Sequence, residues 1–411
     1  MVSEVEHISG AQNLKNSLFV FVLGIIMILS AIGLLFWNEG NAINVQEALE
    51  TGISKTISVT SDTVDPTNEG QLIHTSGRAS SDAILQDKIF GISQNALMLK
   101  RKVEIYQWTE DQETETKKKL GGGEKQITTY SYRKEWSTSL IKSSDFKEAQ
   151  THQNPNEIPY KQQNFHAKKV NLAAFELSKS IVNKIDNYKS LDIDASQISD
   201  TIKKKFKISS NQLYLGDNPN SPNVGDVRVT FTYLPATEIS LVYQQVGKGL
   251  EPYYIKKNDK NIELLQVGKI GIDQMFQNAQ DENSHWTWIR RLIGIVLMSA
   301  GFASVASPLT TVAGVIPFLG SLAEVITGVF SVLISLILSG AIISLSWLFY
   351  RPVTAIIIFT IITVPIVIIM FFVKKKKVTL TSQGTPQTTI SHTQKKNKEA
   401  TVEDYDDGFD I

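Results

Sequence analysis

Charge all but disappears from the chain in two places. Between Leu292 and Tyr350 the only charged side chain is Glu324, and after Arg351 no charge appears until Lys374. A bilayer core about 30 Å thick takes about 20 apolar residues as helix, so Leu292–Val373 has room for about three spans. Pro308, Gly314, Pro317 and Gly320 mark a turn, which divides spans at 292–312 and 322–350. Arg351-Pro352 ends the latter, because proline disfavours helix at the residue before it. A further span is expected over 352–373, with Pro365 tolerated as a kink. The other uncharged run is Leu18–Trp37, also of spanning length. It is too long, and its start too weakly basic, for a cleaved signal peptide, and no small-x-small site precedes Asn38-Glu39-Gly40. It reads as an uncleaved anchor.

The polar residues between these runs alternate with the period of strands. Val227, Val229, Phe231 and Tyr233 take one face, with Ile239, Leu241 and Tyr243 in a second run after Pro235. Val103 and Ile105 lead into Tyr106 and Trp108, and Tyr130, Tyr132 and Trp136 share a face further on. The charged segment Glu110–Lys125 between them, with Gly121-Gly122-Gly123, predicts a hairpin with a long mobile tip. As a phosphate cradle the triple glycine lacks a following Gly-Lys-Ser/Thr. Leu177, Ile181, Ile185 and Tyr188 predict one amphipathic helix, and Gln197–Lys207 a second. Lys203-Lys204-Lys205 there reads as a solvated face, with anionic lipid as the alternative. Gly216–Gly225 is a loop. Ile272, Met275, Phe276, Ala279, Trp286 and Ile289 predict a helix feeding the second span.

The fold class expected is a multipass α-helical membrane protein with four spans and a large α+β, mainly antiparallel-strand, extramembrane domain. Its parts are an N-terminus at 1–17, a span at 18–37, the domain at 38–289, spans at 292–312, 322–350 and 352–373, and a disordered tail at 374–411. Trp37, Trp286, Trp288, Arg290, Arg291, Trp347, Tyr350 and Arg351 mark the membrane interfaces. Lys15 and Lys374–Lys377 outweigh Arg290, Arg291 and Arg351, which places both termini in the cytosol and the domain across the membrane.

Composition narrows the chemistry. Lys+Arg and Asp+Glu both number 41, so no net field points to nucleic acid. Cysteine is absent, which excludes disulfides, thiol catalysis and Cys-ligated zinc. No two of the six histidines are three to five apart, and neither Gly-x-Ser-x-Gly nor Gly-x-Gly-x-x-Gly occurs. No catalytic, cofactor or metal residue is therefore assigned. Glu324 is either buried in the bilayer, where it would need a partner, or interfacial at the turn between spans. Pro317 and Gly320 favour the turn. Asn-Glu-Gly occurs twice, as Asn38-Glu39-Gly40 and Asn68-Glu69-Gly70. It reads as two tight turns with Gly40 and Gly70 at positive φ, or as a functional surface together with His74.

Several short motifs follow one another along the chain: Asn38-Glu39-Gly40, Thr67-Asn68-Glu69-Gly70-Gln71-Leu72-Ile73-His74, Tyr106-Gln107-Trp108, Tyr130-Ser131-Tyr132 with Glu135-Trp136, Val224-Gly225-Asp226-Val227-Arg228-Val229 and Trp347-Leu348-Phe349-Tyr350-Arg351-Pro352. Their order resembles that of the transmembrane protein 43 family, also called LUMA. The tail beyond Lys377 departs from the family in length and acidity. The resemblance implies a non-enzymatic membrane scaffold that self-associates and organises membrane protein complexes. Its setting would be the endoplasmic reticulum and nuclear envelope, with emerin- and lamin-type partners, in a eukaryote, or the plasma membrane in a bacterium. The competing reading is a lipid-handling or lipid-modifying enzyme, for which Glu39, Glu69 and His74 should line one cleft at the bilayer surface. A transporter would need Glu324 deep in the bundle with a polar path leading to it.

Overall fold

The computed structural model describes residues 2–209 and 211–353; the expected span at 352–373 and the tail at 374–411 fall almost wholly outside them. Met1–Tyr350 forms one compact unit. Within it, alternating apolar positions build two sheets. The strands that matter below are β1 (Val2–Ile8), β2 (Leu72–Ser80), β3 (Met98–Lys118), β4 (Glu124–Ser137), β5 (Val227–Leu234), β6 (Thr237–Val246) and β7 (Leu264–Val267). An eight-stranded sheet runs β1–β4–β3–β5 and on to shorter strands, and a seven-stranded sheet centres on β6, flanked by β2 and β7. Nearly all pairings are antiparallel, as the period-2 runs predict.

The core lies in three layers. Ile73, Met98, Leu241 and Tyr243 are buried between the sheets. Val103, Ile105, Val227, Val229 and Phe231 pack on the other side of the larger sheet against Phe90, Ile202 and Phe206. Burying a side chain of this size stabilises by about 1.5–3 kcal/mol, so each layer outweighs its ordering cost only collectively. The third layer, with Leu72 and Val242 against Ala48, Leu49, Met275 and Phe276, joins the domain to the long helices.

Those helices are α1 (Gly10–Lys55), α2 (Ile272–Val305), α3 (Ser307–Ala313) and α4 (Pro317–Tyr350). Three of them are long and apolar enough to cross a membrane: α1, α2 and α4 from Phe318 onward. The apolar run 18–37 is the middle of a longer helix, which Ser9 caps by accepting the Gln12 N–H and which continues to Lys55. Gly40 therefore makes no turn; it is helical. Helix α1 runs antiparallel to α2, with Gly24 so close to Gly301 that an added Cβ would stand 2.7 Å from its carbonyl oxygen. Such small-residue crossings let backbones pack where lipid supplies no hydrophobic drive. Ala31, Leu35, Met298 and Ile342 fill the centre, and Ser299 of α2 hydrogen-bonds Ser335 of α4.

Several local expectations differ from what forms. The helix expected from Leu177 to Tyr188 is only Lys179–Asn183, capped by Ser178. Leu177, Ile181 and Ile185 are buried all the same, because the chain folds back into the core around so short a helix. The second shrinks to Asp200–Lys205. The hairpin has no long tip: β3 and β4 stay paired out to Lys118 and Glu124, leaving five residues between them. Cross-strand polar pairs replace an apolar face there, with Arg133 on Asp111 at 2.7 Å and Thr114 on Thr128 at 3.0 Å. The polar N-terminus adds a strand, β1 pairing with β4 from Val2↔Tyr130 to Ile8↔Glu124.

Candidate functional site

The antiparallel pairing of α1 and α2 places the end of one apolar run level with the start of the other. Glu39 follows the first run and Arg291 precedes the second, so residues 252 positions apart meet. Arg291 grips the carboxylate with two parallel bonds, Nε to Oε1 and Nη2 to Oε2, both 2.7 Å. Trp347, from the last turn of α4, donates its indole N–H to Oε2 at 2.9 Å. One carboxylate thus binds all three candidate spanning helices among the described residues. Glu39 is 1% exposed, and a charge taken so far out of water is tolerable only when paired and hydrogen-bonded.

The neighbours of Glu39 complete the junction. Asn38, fully buried, donates to the Thr287 carbonyl at 3.2 Å, and Asn283 donates to the Ala42 carbonyl at 3.0 Å. The Asn38 Oδ1 is buried with no partner among the described residues. Gly40 lies against the Tyr350 ring; an added Cβ would fall 2.3 Å from its Cζ. Phe36 meets the same ring at 5.4 Å. Around this centre stand the aromatic and basic side chains expected at the interface. The Arg290 guanidinium lies 5.6 Å from Trp37 and 5.9 Å from Trp286, and that of Arg291 lies 4.6 Å from Trp288. Arg351 follows α4 directly in the chain.

The second Asn-Glu-Gly does different work. Pro66–Asn68 is a short 3-10 turn capped by Asp65, and Gly70 has φ +75°, as a tight turn requires. Glu69 accepts the Gly247 N–H at 2.8 Å, and Gly70 donates its N–H to the Gln245 carbonyl at 2.9 Å. Here the motif ties one loop to the end of β6. His74 sits in β2, 7% exposed, with Nε2 2.8 Å from the Ile270 carbonyl. Among the described residues, Glu39, Glu69 and His74 thus engage three different sets of partners. A groove of about 570 Å³ lies elsewhere in the domain, bordered by Ser80, Asp82, His166, Lys168 and Asn171. Burial, with Lys179 and Lys100 nearby, holds the His166 imidazole below its ordinary pKa.

Glu324 lies two turns into α4, near the connection from α3, and pairs with Lys118 at the end of β3. It is half exposed. Its partner was not legible in the sequence. Nor was the union of Glu39, Arg291 and Trp347: each stood out singly, Glu39 as a surface candidate and the others as interface markers. The usable signal was one acid and one base, each flanking an apolar run at the end nearer the domain.

Comparison with known proteins places this architecture. The family model described as Transmembrane protein 43 matches residues 105–352. The chain is 31% identical over 368 residues to Transmembrane protein 43 of Mus musculus, covering 86% of this chain and 90% of the mouse protein. It is 31% identical over 366 residues to the Homo sapiens protein, with the same coverage, and 26% identical to the Drosophila melanogaster homolog, covering 84% of this chain and 92% of that one. No solved structure matches. With its membrane helices and mainly antiparallel domain, the chain belongs to the transmembrane protein 43 family.

Proposed function

We propose that this chain is a membrane scaffold: a four-span anchor that carries its sheet domain across the bilayer, self-associates and organises membrane protein complexes through that domain. The observation that carries the reading is the Glu39–Arg291–Trp347 junction, in which every hydrogen-bonding oxygen of the acid serves to lock helices. A carboxylate so engaged is suited to holding geometry; proton transfer would need it released. The junction stands where α1 and α2 pass from apolar bundle to domain, so it also fixes how the domain is presented. Family membership supports the endoplasmic reticulum and nuclear envelope, with emerin- or lamin-type contacts, in a eukaryotic cell, and the plasma membrane in a bacterial one. The competing lipid-handling enzyme has no convergence of Glu39, Glu69 and His74 to build on.

Crosslinking in native membranes followed by identification of partners tests the proposal. Protein partners or copies of this chain are expected; recovery of lipids or metabolites alone overturns it. The orientation is tested separately in sealed vesicles, where protease added on the cytosolic side should leave residues 140–270 intact.

A further inference from the structure

One part of the fold sits where a membrane protein ordinarily has none. Beyond Trp108, strands β3 and β4 leave the body of the domain as a ribbon, with β1 as its third strand. Its tip lies at the opposite end of the helices. Asn13, in the first turn of α1, donates to the Gly122 carbonyl at 3.2 Å and to Glu124 at 3.0 Å. Gly121 donates its N–H to the Val315 carbonyl at 3.1 Å, and Lys118 pairs with Glu324. Lengths agree with this. Thr109 to Lys118 as strand covers about 30 Å, the thickness of a bilayer core. A ribbon of that length reaches from the body of the domain to the far ends of the spanning helices.

The ribbon is unfit for lipid. Residues 111–117 are all exposed, with Asp111, Glu113, Glu115 and Lys117 on one face and Gln112, Thr114 and Thr116 on the other. The outer edge of β1, and that of β3 beyond Trp108, pair with no strand among the described residues. Open edges and polar backbone do not face hydrocarbon; at membrane depth they are tolerated only where protein covers them or water fills a cavity. The spanning helices are the converse, with Phe19, Val22, Ile26, Leu29 and Ile337 exposed and apolar.

We propose that copies of this chain close into a ring in the membrane, helices outward to lipid and ribbons inward around a shared water-filled interior. The occupant that covers each ribbon is a second copy. The two open edges lie on opposite sides of the ribbon, so β1 of one copy meets β3 of the next in a head-to-tail contact that closes only by going round. This deepens the scaffold reading by giving its self-association a surface, and it rests on that reading.

The natural chain has no cysteine, so introduced pairs report cleanly. Glu6 and Thr116 both stand opposite Gln126, on either side of β4. Within one chain they are two strand spacings apart, about 10 Å, too far for a disulfide. In full-length protein carrying Glu6→Cys and Thr116→Cys in liposomes, mild oxidation should give a ladder of covalent oligomers ending at one closed size. Leu29→Cys on the lipid face, as a control, should give at most dimer. A double variant that stays monomeric overturns the ring. The unmodified chain extracted into lipid nanodiscs supplies a second measure that no substitution can disturb: several copies per disc are expected, and a single copy overturns the ring. Copies of this chain joined in the native membrane through a surface other than the ribbon would overturn the ring while leaving the scaffold reading in place.

Discussion

The same tripeptide stands at two points of this molecule and meets two fates. In Asn68-Glu69-Gly70 the glycine takes positive φ and the acid accepts the Gly247 N–H, so the motif is a turn pinned to the end of β6. In Asn38-Glu39-Gly40 the glycine is helical, the asparagine is buried, and the acid is shared by two other helices. Local sequence is identical, so the surroundings decide. Beside the loops the acid serves one backbone N–H of a neighbouring segment; between apolar helices the side chains must find partners across the bundle.

Substitutions in matched pairs separate the two copies, read as thermal or denaturant unfolding of the full-length protein in nanodiscs. Glu39→Ala should lose about 3–5 kcal/mol, because Arg291 is left buried without its counter-charge, whereas Glu69→Ala should lose about 1 kcal/mol, one backbone hydrogen bond. Combining Glu39→Met with Arg291→Met should cost less than Glu39→Ala alone; an equal or larger cost would mean that the pair is not the seat of the effect. Gly40→Ala comes next, at about 1–3 kcal/mol from forcing a methyl group into the Tyr350 ring, and Tyr350→Leu should recover most of it. Gly70→Ala should cost about 1–2 kcal/mol by backbone strain, with no such rescue. The smallest contrast is Asn38→Ala at about 1 kcal/mol against Asn68→Ala at about 0.5 kcal/mol or less.

A third acid extends the comparison into the domain. Glu104 on β3 is 8% exposed at its side chain, and burial pushes its pKa up. The Arg228 guanidinium at 2.8 Å and the Lys102 ammonium at 2.9 Å outweigh this and hold the carboxyl below its ordinary value of 4.5. A lowered folded pKa means that the unfolded chain binds the proton first. Stability from this group is complete above about pH 4.5 and lost as pH falls through the lower folded value. Glu104→Gln should flatten that part of the acid-unfolding curve, and an unchanged slope would show that the cation pair is not what holds the proton off.

How much of this was legible follows from what each signal depends on. Runs such as Leu18–Trp37, and alternations such as Val227 to Tyr233, encode burial directly, so the spanning helices, the strands and the antiparallel domain could be read residue by residue. The ribbon could not, since its pairing rests on cross-strand polar contacts such as Arg133 with Asp111, which carry no period in hydrophobicity. Gly40 misled because glycine is both a turn former and a close-packing residue, and only the position of Tyr350 tells which. The junction was half visible. Glu39, Arg291 and Trp347 each drew notice, but their meeting depends on the level at which three helices align.

Helix α1 is about 69 Å long from Gly10 to Lys55, and it passes from bundle to domain without a break. It is therefore a lever with no joint. Spanning helices tilt to fit the local thickness of the bilayer. Any such tilt is carried through Asn38 into the seventeen residues beyond it, where 10° moves the far end sideways by about 4 Å. Since α2 is equally continuous and Glu39 locks the two together, the domain cannot swivel to absorb the change. A change of tilt in these helices is therefore carried into the domain undiminished by any joint.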